Sequence, residues 1–399
     1  MRKFFLAALV ISFLSPYSAL AAPKPIAIKE ATVIATDVQS DGLIASGGNL
    51  ITFTSTTSTT LDITLGARSA SGVAAWSKVI DSGQNEIAMV ATSDNNGSIW
   101  LAGVSASSPQ PDTSTPQVAA ANPDGVTLET LPKLRKEMDQ ITLWNLSPNG
   151  DLLTTYLYPL KEASLITAIA LDSKGISIAG ARKSGAFVVS ASLTGIFGKV
   201  TAIGSSKTSI SAITRHADGS VSAFGSSSET LASKKLVGVV DGVLIKISKS
   251  GVITSVVRSS APKAKRNWST ATPSLFLTGE VASSKGYEIA ITKFTPQFAP
   301  TWTTRYLGIG KSIGINLPNN SFAVALTPSA LPKGLSGQKF NKDQAVILIF
   351  DSKGVLTSAY TNAAMGAPVA LAYSPDGGIN VLAKGVSAES LSIFHLNSR

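Results

Sequence analysis

The chain has 399 residues, with 34 lysines and arginines against 24 acidic residues, two histidines and no cysteine. The lack of cysteine excludes disulfides and a cysteine-linked lipid anchor, and two histidines alone exclude a histidine-rich metal site or a catalytic histidine pair. A formal net charge of +10 favours anionic partners through long-range attraction and carries no information about fold.

In chain order, Arg2 and Lys3 precede an apolar run from Phe4 to Leu14, followed by Pro16 and small residues ending Ala19-Leu20-Ala21. This is the layout of a secretory leader over residues 1–21, and it implies a mature chain, 22–399, that is secreted, periplasmic or on the cell surface. No later stretch reaches the ~20 consecutive apolar residues of a transmembrane helix, so none is expected in the mature chain. Without disulfides, stability must come from a large packed core, and a single domain of this length can build one.

From residue 61 onward two half-units alternate, each an apolar strand, a tight turn ending in glycine, and a second strand. The first kind ends in Gly: Ile87 to Gly103, Ile166 to Gly180, Ile210 to Gly225 and Val369 to Gly385, with degenerate copies at Thr272 to Ser283 and Ile313 to Thr327. The second kind runs Leu61 to Ile80, Ile141 to Tyr158, Ala186 to Ile203, Asp241 to Val257, Tyr287 to Tyr306 and Ala345 to Tyr360, and a last copy begins near 391. Alternating apolar and β-branched residues read as half-buried strands, and the Asp-Gly, Asn-Gly and Ser-x-Gly turns supply the positive φ such hairpins need. Seven four-stranded units of about 45 to 55 residues fit the blades of a β-propeller, because one unit cannot bury both its faces and stacking around an axis does so. The last unit lacks one strand, and Lys24 to Glu30 (KPIAIKE) is expected to supply it, closing the final blade.

Two segments, "DGVLIKISKSG" (Asp241 to Gly251) and "LDSKGISIAG" (Leu171 to Gly180), make the chain resemble bacterial secreted β-propeller repeats of the WD40-like kind. The likeness extends over nearly the whole mature chain, although no Trp-Asp dipeptide occurs and the fifth and sixth units lack the Asp-x-x-Gly turn. "GVAAW" (Gly72 to Trp76) is similar to quinoprotein-type repeats but does not recur in register, so no cofactor follows from it. The resemblance implies a fold and leaves function open, since propellers host enzymes and binding modules alike.

The turns within half-units are short and share one face. Every long insertion falls on the other: Val104 to Gln140, with a Ser/Pro-rich loop over 105–140, then Ser226 to Val239, Ser259 to Ala271 and Pro328 to Asp343. Long loops on a rigid scaffold are where binding usually resides. Basic residues cluster in these insertions: Lys133, Arg135 and Lys136; Lys234 and Lys235; Lys263, Lys265 and Arg266; and Lys339 among Lys333 and Lys342. Together they suggest a cationic face for an anionic polymer, with Trp268 as a stacking platform for a ring.

Other chemistry is weakly supported. "GIGKS" (Gly308 to Ser312) resembles half of a phosphate loop, but Arg305 stands where the first glycine belongs and the residues that follow read as strand. "DNNGS" from Asp94 has too few spaced oxygens for a calcium loop, and no Gly-x-Ser-x-Gly elbow occurs. No metal or cofactor is expected. The expected function is a non-catalytic binding or scaffold module at the cell envelope, monomeric, with an anionic envelope polymer or a protein as partner and no nucleic acid. The alternative is a polysaccharide-acting hydrolase or lyase with its acid and base groups at the channel mouth.

Overall fold

The hairpin turns fold as their sequence dictates. In Ser147-Pro148-Asn149-Gly150 the Gly150 amide donates to the Ser147 carbonyl (2.9 Å) at φ +81°, while Ser147 Oγ accepts from the Asp151 amide (3.2 Å). The same device recurs at Ser192–Gly195, Ser248–Gly251 and Asp351–Gly354, each glycine at φ near +80°. In the degenerate unit Leu275 (φ +60°) and Phe298 (φ +63°) take the glycine's place. A left-handed side chain costs roughly 1 kcal/mol or more. Burial offsets it here, because Phe298 packs edge-on against Phe224 at 5.8 Å and both Leu275 and Phe298 are buried in one cluster.

The computed structural model describes residues 25–58, 60–108, 136–284, 286–337, 341, 343–386 and 389–397. Their regular structure is β-strand apart from one 3-10 turn, Pro318–Asn320, and among them no helix is long and apolar enough to cross a membrane. Four antiparallel four-stranded sheets follow one another in sequence, opening with Gly42–Ser46, Glu86–Ser93, Ser164–Asp172 and Thr208–Arg215. Next comes a nine-stranded sheet that is two such units joined. Its 17-residue strand Pro300–Asn316 pairs with Gly286–Phe294 through its first half and with Phe322–Pro328 through its second. The last sheet runs from Met365–Ser374 through Gly378–Gly385 and Leu391–Leu396 to Thr32–Val38.

A bulge in the first strands explains the glycines that end three of the first half-units, Gly103, Gly180 and Gly225. Pairing between first and second strand skips a residue at Met89, Thr167, Ser211, Ser269 and Val369, a β-bulge at the same place in five units. The bulge brings the first strand's backbone onto the second strand at Gly103, Gly180, Gly225 and Gly279. A Cβ there would stand 1.8 Å from the Ile87 carbonyl oxygen, 2.5 Å from that of Leu165 and 2.0 Å from those of Ser209 and Asn267. These glycines are required by close approach, not by their φ.

Each first strand touches the first strand of the next unit, and Met365–Ser374 returns to Gly42–Ser46, so these strands form a ring. Hydrogen bonds tie its members together: Thr167 Oγ1 donates to the Ile210 carbonyl (2.7 Å), Ser93 Oγ to that of Ala45 (2.7 Å), and the Gly314 amide to Thr270 Oγ1 (3.0 Å). The apolar core lies between neighbouring sheets, as where Phe276 and Phe322 stack at 4.1 Å.

Two expectations about strand positions are corrected by the structure. The strand that completes the last sheet is Thr32–Val38, which pairs antiparallel with Leu391–Leu396, and not the stretch ending at Glu30. Ile26–Glu30 instead runs parallel to Leu356–Thr361 and Leu335–Ser336, on the outer edge of the preceding unit. Buried Ala31 joins the two, its amide donating to the Thr361 carbonyl (2.8 Å). The second correction concerns the insertion expected over Ser259 to Ala271, most of which is the first strand Lys265–Ala271.

Gly103→Ala should lower the unfolding free energy by about 3 kcal/mol, because the new methyl overlaps backbone that cannot withdraw. Gly198→Ala, where a Cβ meets nothing nearer than 3.4 Å, should stay within about 0.5 kcal/mol in the same urea titration. Removing residues through Val38 should lower the melting temperature by roughly 10 °C or more, at ~2–4 °C per kcal/mol for a domain of this size. Removal only through Glu30 should cost less, and equal losses would show that the two strands are not separate pairings.

Candidate binding face and axial cavity

Strands alternate in direction, so the second-to-third and fourth-to-first connections all emerge at one end of the ring. A cavity of 790 Å³ lies within the ring, lined by residues of the first strands. The bulge residues Met89, Thr167, Ser211, Ser269 and Val369 all line it, so the irregularity also aims one side chain inward in each of these five units, four of which carry the close-approach glycine. Its wall is mostly polar on one side and mostly apolar on the other, with Ile313 on the first and Asp41 on the second. Consecutive units contribute Thr167, Ser209, Ser211, Asn267, Ser269 and Ser312 on one arc, and Met365–Ser374 and the first two sheets contribute Val369, Leu371, Leu43, Ile44, Met89 and Val90 on the other. Asp41 and Lys311 are the charged residues of the lining.

Behind the polar arc Glu280 is buried and held by three donors: Ser269 Oγ (2.6 Å), Asn267 Nδ2 (3.2 Å) and the Ser312 amide (3.3 Å). Ser312 is fully buried and its Oγ has no partner among the described residues. A second carboxylate, Glu86, sits outside the cavity lining at the start of its first strand and is also buried. Burial pushes its pKa up, assisted by Asp62 and opposed by hydrogen bonds from Ser82 and Trp144. Asp62 accepts from Ser58 Oγ (2.6 Å) and Thr60 Oγ1 (2.7 Å), so both acids are tied into the scaffold.

The expected basic clusters fall into three groups. Lys133, Arg135 and Lys339 lie outside the described residues, and Lys136 is exposed beside the second sheet. Lys234, Lys235, Lys263 and Lys265 are exposed, and the structure brings their two connections together. The Val239 amide donates to the Ala264 carbonyl (2.8 Å) and the Arg266 amide to that of Val240 (2.9 Å). Underneath, Arg258 Nε donates to the Lys234 carbonyl (3.0 Å) and Arg258 Nη1 pairs with buried Asp241 (3.2 Å), while Nη2 reaches the Glu229 carbonyl. Burial alone would raise the Asp241 pKa, but the Val237 and Gly238 amides, Ser260 and Arg258 outweigh it and hold it lowered. None of the four lysines forms an ion pair among the described residues, so their charge is directed at solvent.

Trp268 is not a stacking platform. It is 0% exposed, edge-on to Phe294 at 5.4 Å and covered by the Arg266 guanidinium at 4.4 Å. Burial, with Arg305 nearby, lowers the Arg266 pKa to about 10, which leaves it charged at neutral pH. Arg266 is therefore the lid of an aromatic cluster. Sequence reasoning did not find the cavity wall, whose serines and threonines look like ordinary strand residues until the bulges turn them inward.

Arg266→Ala should lower stability by about 1–2 kcal/mol through lost stacking and the uncovered indole, measured by urea unfolding. For Glu86 the folded pKa exceeds the unfolded one, so its contribution is fully present below the ordinary carboxylate range and is lost as pH rises through the folded value. The unfolding free energy of the native chain relative to Glu86→Gln should therefore fall as pH rises above the ordinary carboxylate range. A difference independent of pH would contradict this assignment.

No family model and no curated protein sequence matches the chain. Among solved structures, the WD40 domain of Toxoplasma gondii coronin superposes with a TM-score of 0.52 at 9% identity, over 93% of this chain and 88% of that one. A protein from Lactobacillus plantarum superposes with a TM-score of 0.50 at 11% identity, over 88% and 92% of the respective chains. At such identities the likeness establishes a propeller fold and nothing about activity.

Proposed function

We propose that the chain is a secreted, non-catalytic binding propeller of seven blades that engages an anionic envelope polymer on its long-connection face. The ring of first strands supports the blade count, and Thr32–Val38 beside Leu391–Leu396 supports closure of the last blade by the amino-terminal segment. The leader-like residues 1–21 support secretion and lie outside the described residues. One observation carries the binding reading: Lys234, Lys235, Lys263 and Lys265 are exposed and unpaired among the described residues, on two connections hydrogen-bonded to each other and anchored by the Arg258–Asp241 pair. A fixed cluster of solvent-directed charge focuses attraction where scattered lysines do not. Most glycoside hydrolases use two carboxylates facing one reaction space, and the described lining brings one, Asp41.

Retention on immobilised polygalacturonate and poly(glycerol phosphate) across a salt series tests this, with cellulose as the uncharged control. Salt-sensitive retention is expected, with Lys234→Ala/Lys235→Ala/Lys263→Ala/Lys265→Ala eluting at clearly lower salt. Arg266 is left intact because it supports the fold. Failure of the native chain to bind either polymer, or elution of the variant at unchanged salt, would overturn the proposal.

A further inference from the structure

We infer that the axial cavity is a second binding site, separate from the lysine cluster, for an uncharged mono- or disaccharide. The volume, 790 Å³, falls within the roughly 300–1,000 Å³ typical of small-ligand sites. The division of the wall into arcs selects the ligand class. A sugar ring carries hydroxyls around its edge and C–H groups on its faces, so it needs hydrogen-bonding groups on one side and an apolar surface on the other. The hydroxyl and amide arc of Ser209, Ser211, Asn267 and Ser312 faces the arc of Ile44, Val90, Val369 and Leu371 across the ring.

The polar arc also has hydrogen-bonding capacity left over. Ser209 and Ser211 have no side-chain hydrogen bond among the described residues, Asn267 uses its amide nitrogen on Glu280 and Ser269 and leaves Oδ1 open, and Ser312 Oγ is buried without a partner. A buried polar group without a partner, such as Ser312 Oγ, is costly and a ligand hydroxyl would relieve that cost, while exposed Ser209 and half-buried Ser211 offer free hydroxyls to a ligand. Glu280, locked by its three donors, fixes Asn267 and Ser269 in place before any ligand arrives, which reduces the ordering cost of binding. One acid and one base, Asp41 and Lys311, leave the lining without a charge excess, so an uncharged ligand fits it better than an anionic one.

Saturation-transfer NMR on the full chain with glucose, N-acetylglucosamine, cellobiose and maltose tests the site. Transfer to at least one sugar is expected. Ser211→Leu, which places an alkyl group at the bulge, should weaken binding about tenfold or more, the size of one lost hydrogen bond with added obstruction. Ser209→Leu, at an exposed lining position, should act the same way and keeps the test valid if Ser211→Leu melts early. The four-lysine variant should bind sugar as the native chain does, which separates this site from the polymer face. Absence of transfer from all four sugars, or transfer unchanged in the folded leucine variants, would overturn the inference.

Discussion

The structure depends on a close approach between backbone and glycine that recurs around the ring. In four of the five units whose first strand bulges, its carbonyl comes so near the second strand that only hydrogen is tolerated, at Gly103, Gly180, Gly225 and Gly279. The bulge increases local twist and redirects one side chain, and repetition of this step turns Met89, Thr167, Ser211, Ser269 and Val369 toward one cavity. Fold and cavity thus share a cause. The glycine that lets neighbouring strands pack pairs with the residue just before the one that lines the hole.

Much of this was legible in the sequence. The strand–turn–strand rhythm, the left-handed glycines of Ser-x-x-Gly and Asp-x-x-Gly turns, and the starts of most third strands follow from alternation and turn chemistry, which are local properties. What escaped detection is nonlocal. Lys265–Ala271 reads as a basic loop because an inner strand facing the axial cavity keeps polar residues, and its main apolar anchor, Trp268, is hidden by Arg266. The pairing of Ile26–Glu30 with Leu356–Thr361 joins residues more than 300 positions apart, and nothing in KPIAIKE distinguishes it from the strand that follows. Leu275 and Phe298 hide two turns because side-chain burial compensates where glycine would have announced them.

The candidate site was legible in part. Composition pointed to a cationic long-connection face, and the structure joins Lys234 and Lys235 to Lys263 and Lys265 through backbone hydrogen bonds. It separates Arg266 and Trp268 from that set by burying one beneath the other. The amphipathic cavity had no sequence signature of its own, since its hydroxyls come from four consecutive units and its apolar arc from those remaining.

Hydrogen–deuterium exchange with and without poly(glycerol phosphate) tests most directly whether the long-connection face is the working surface. Protection should gather in residues 231–240 and 259–266, leaving the short turns around Gly150, Gly195 and Gly251 at the opposite end unchanged. Protection centred on those turns, or none anywhere at saturating polymer, would contradict a binding face built from the joined connections.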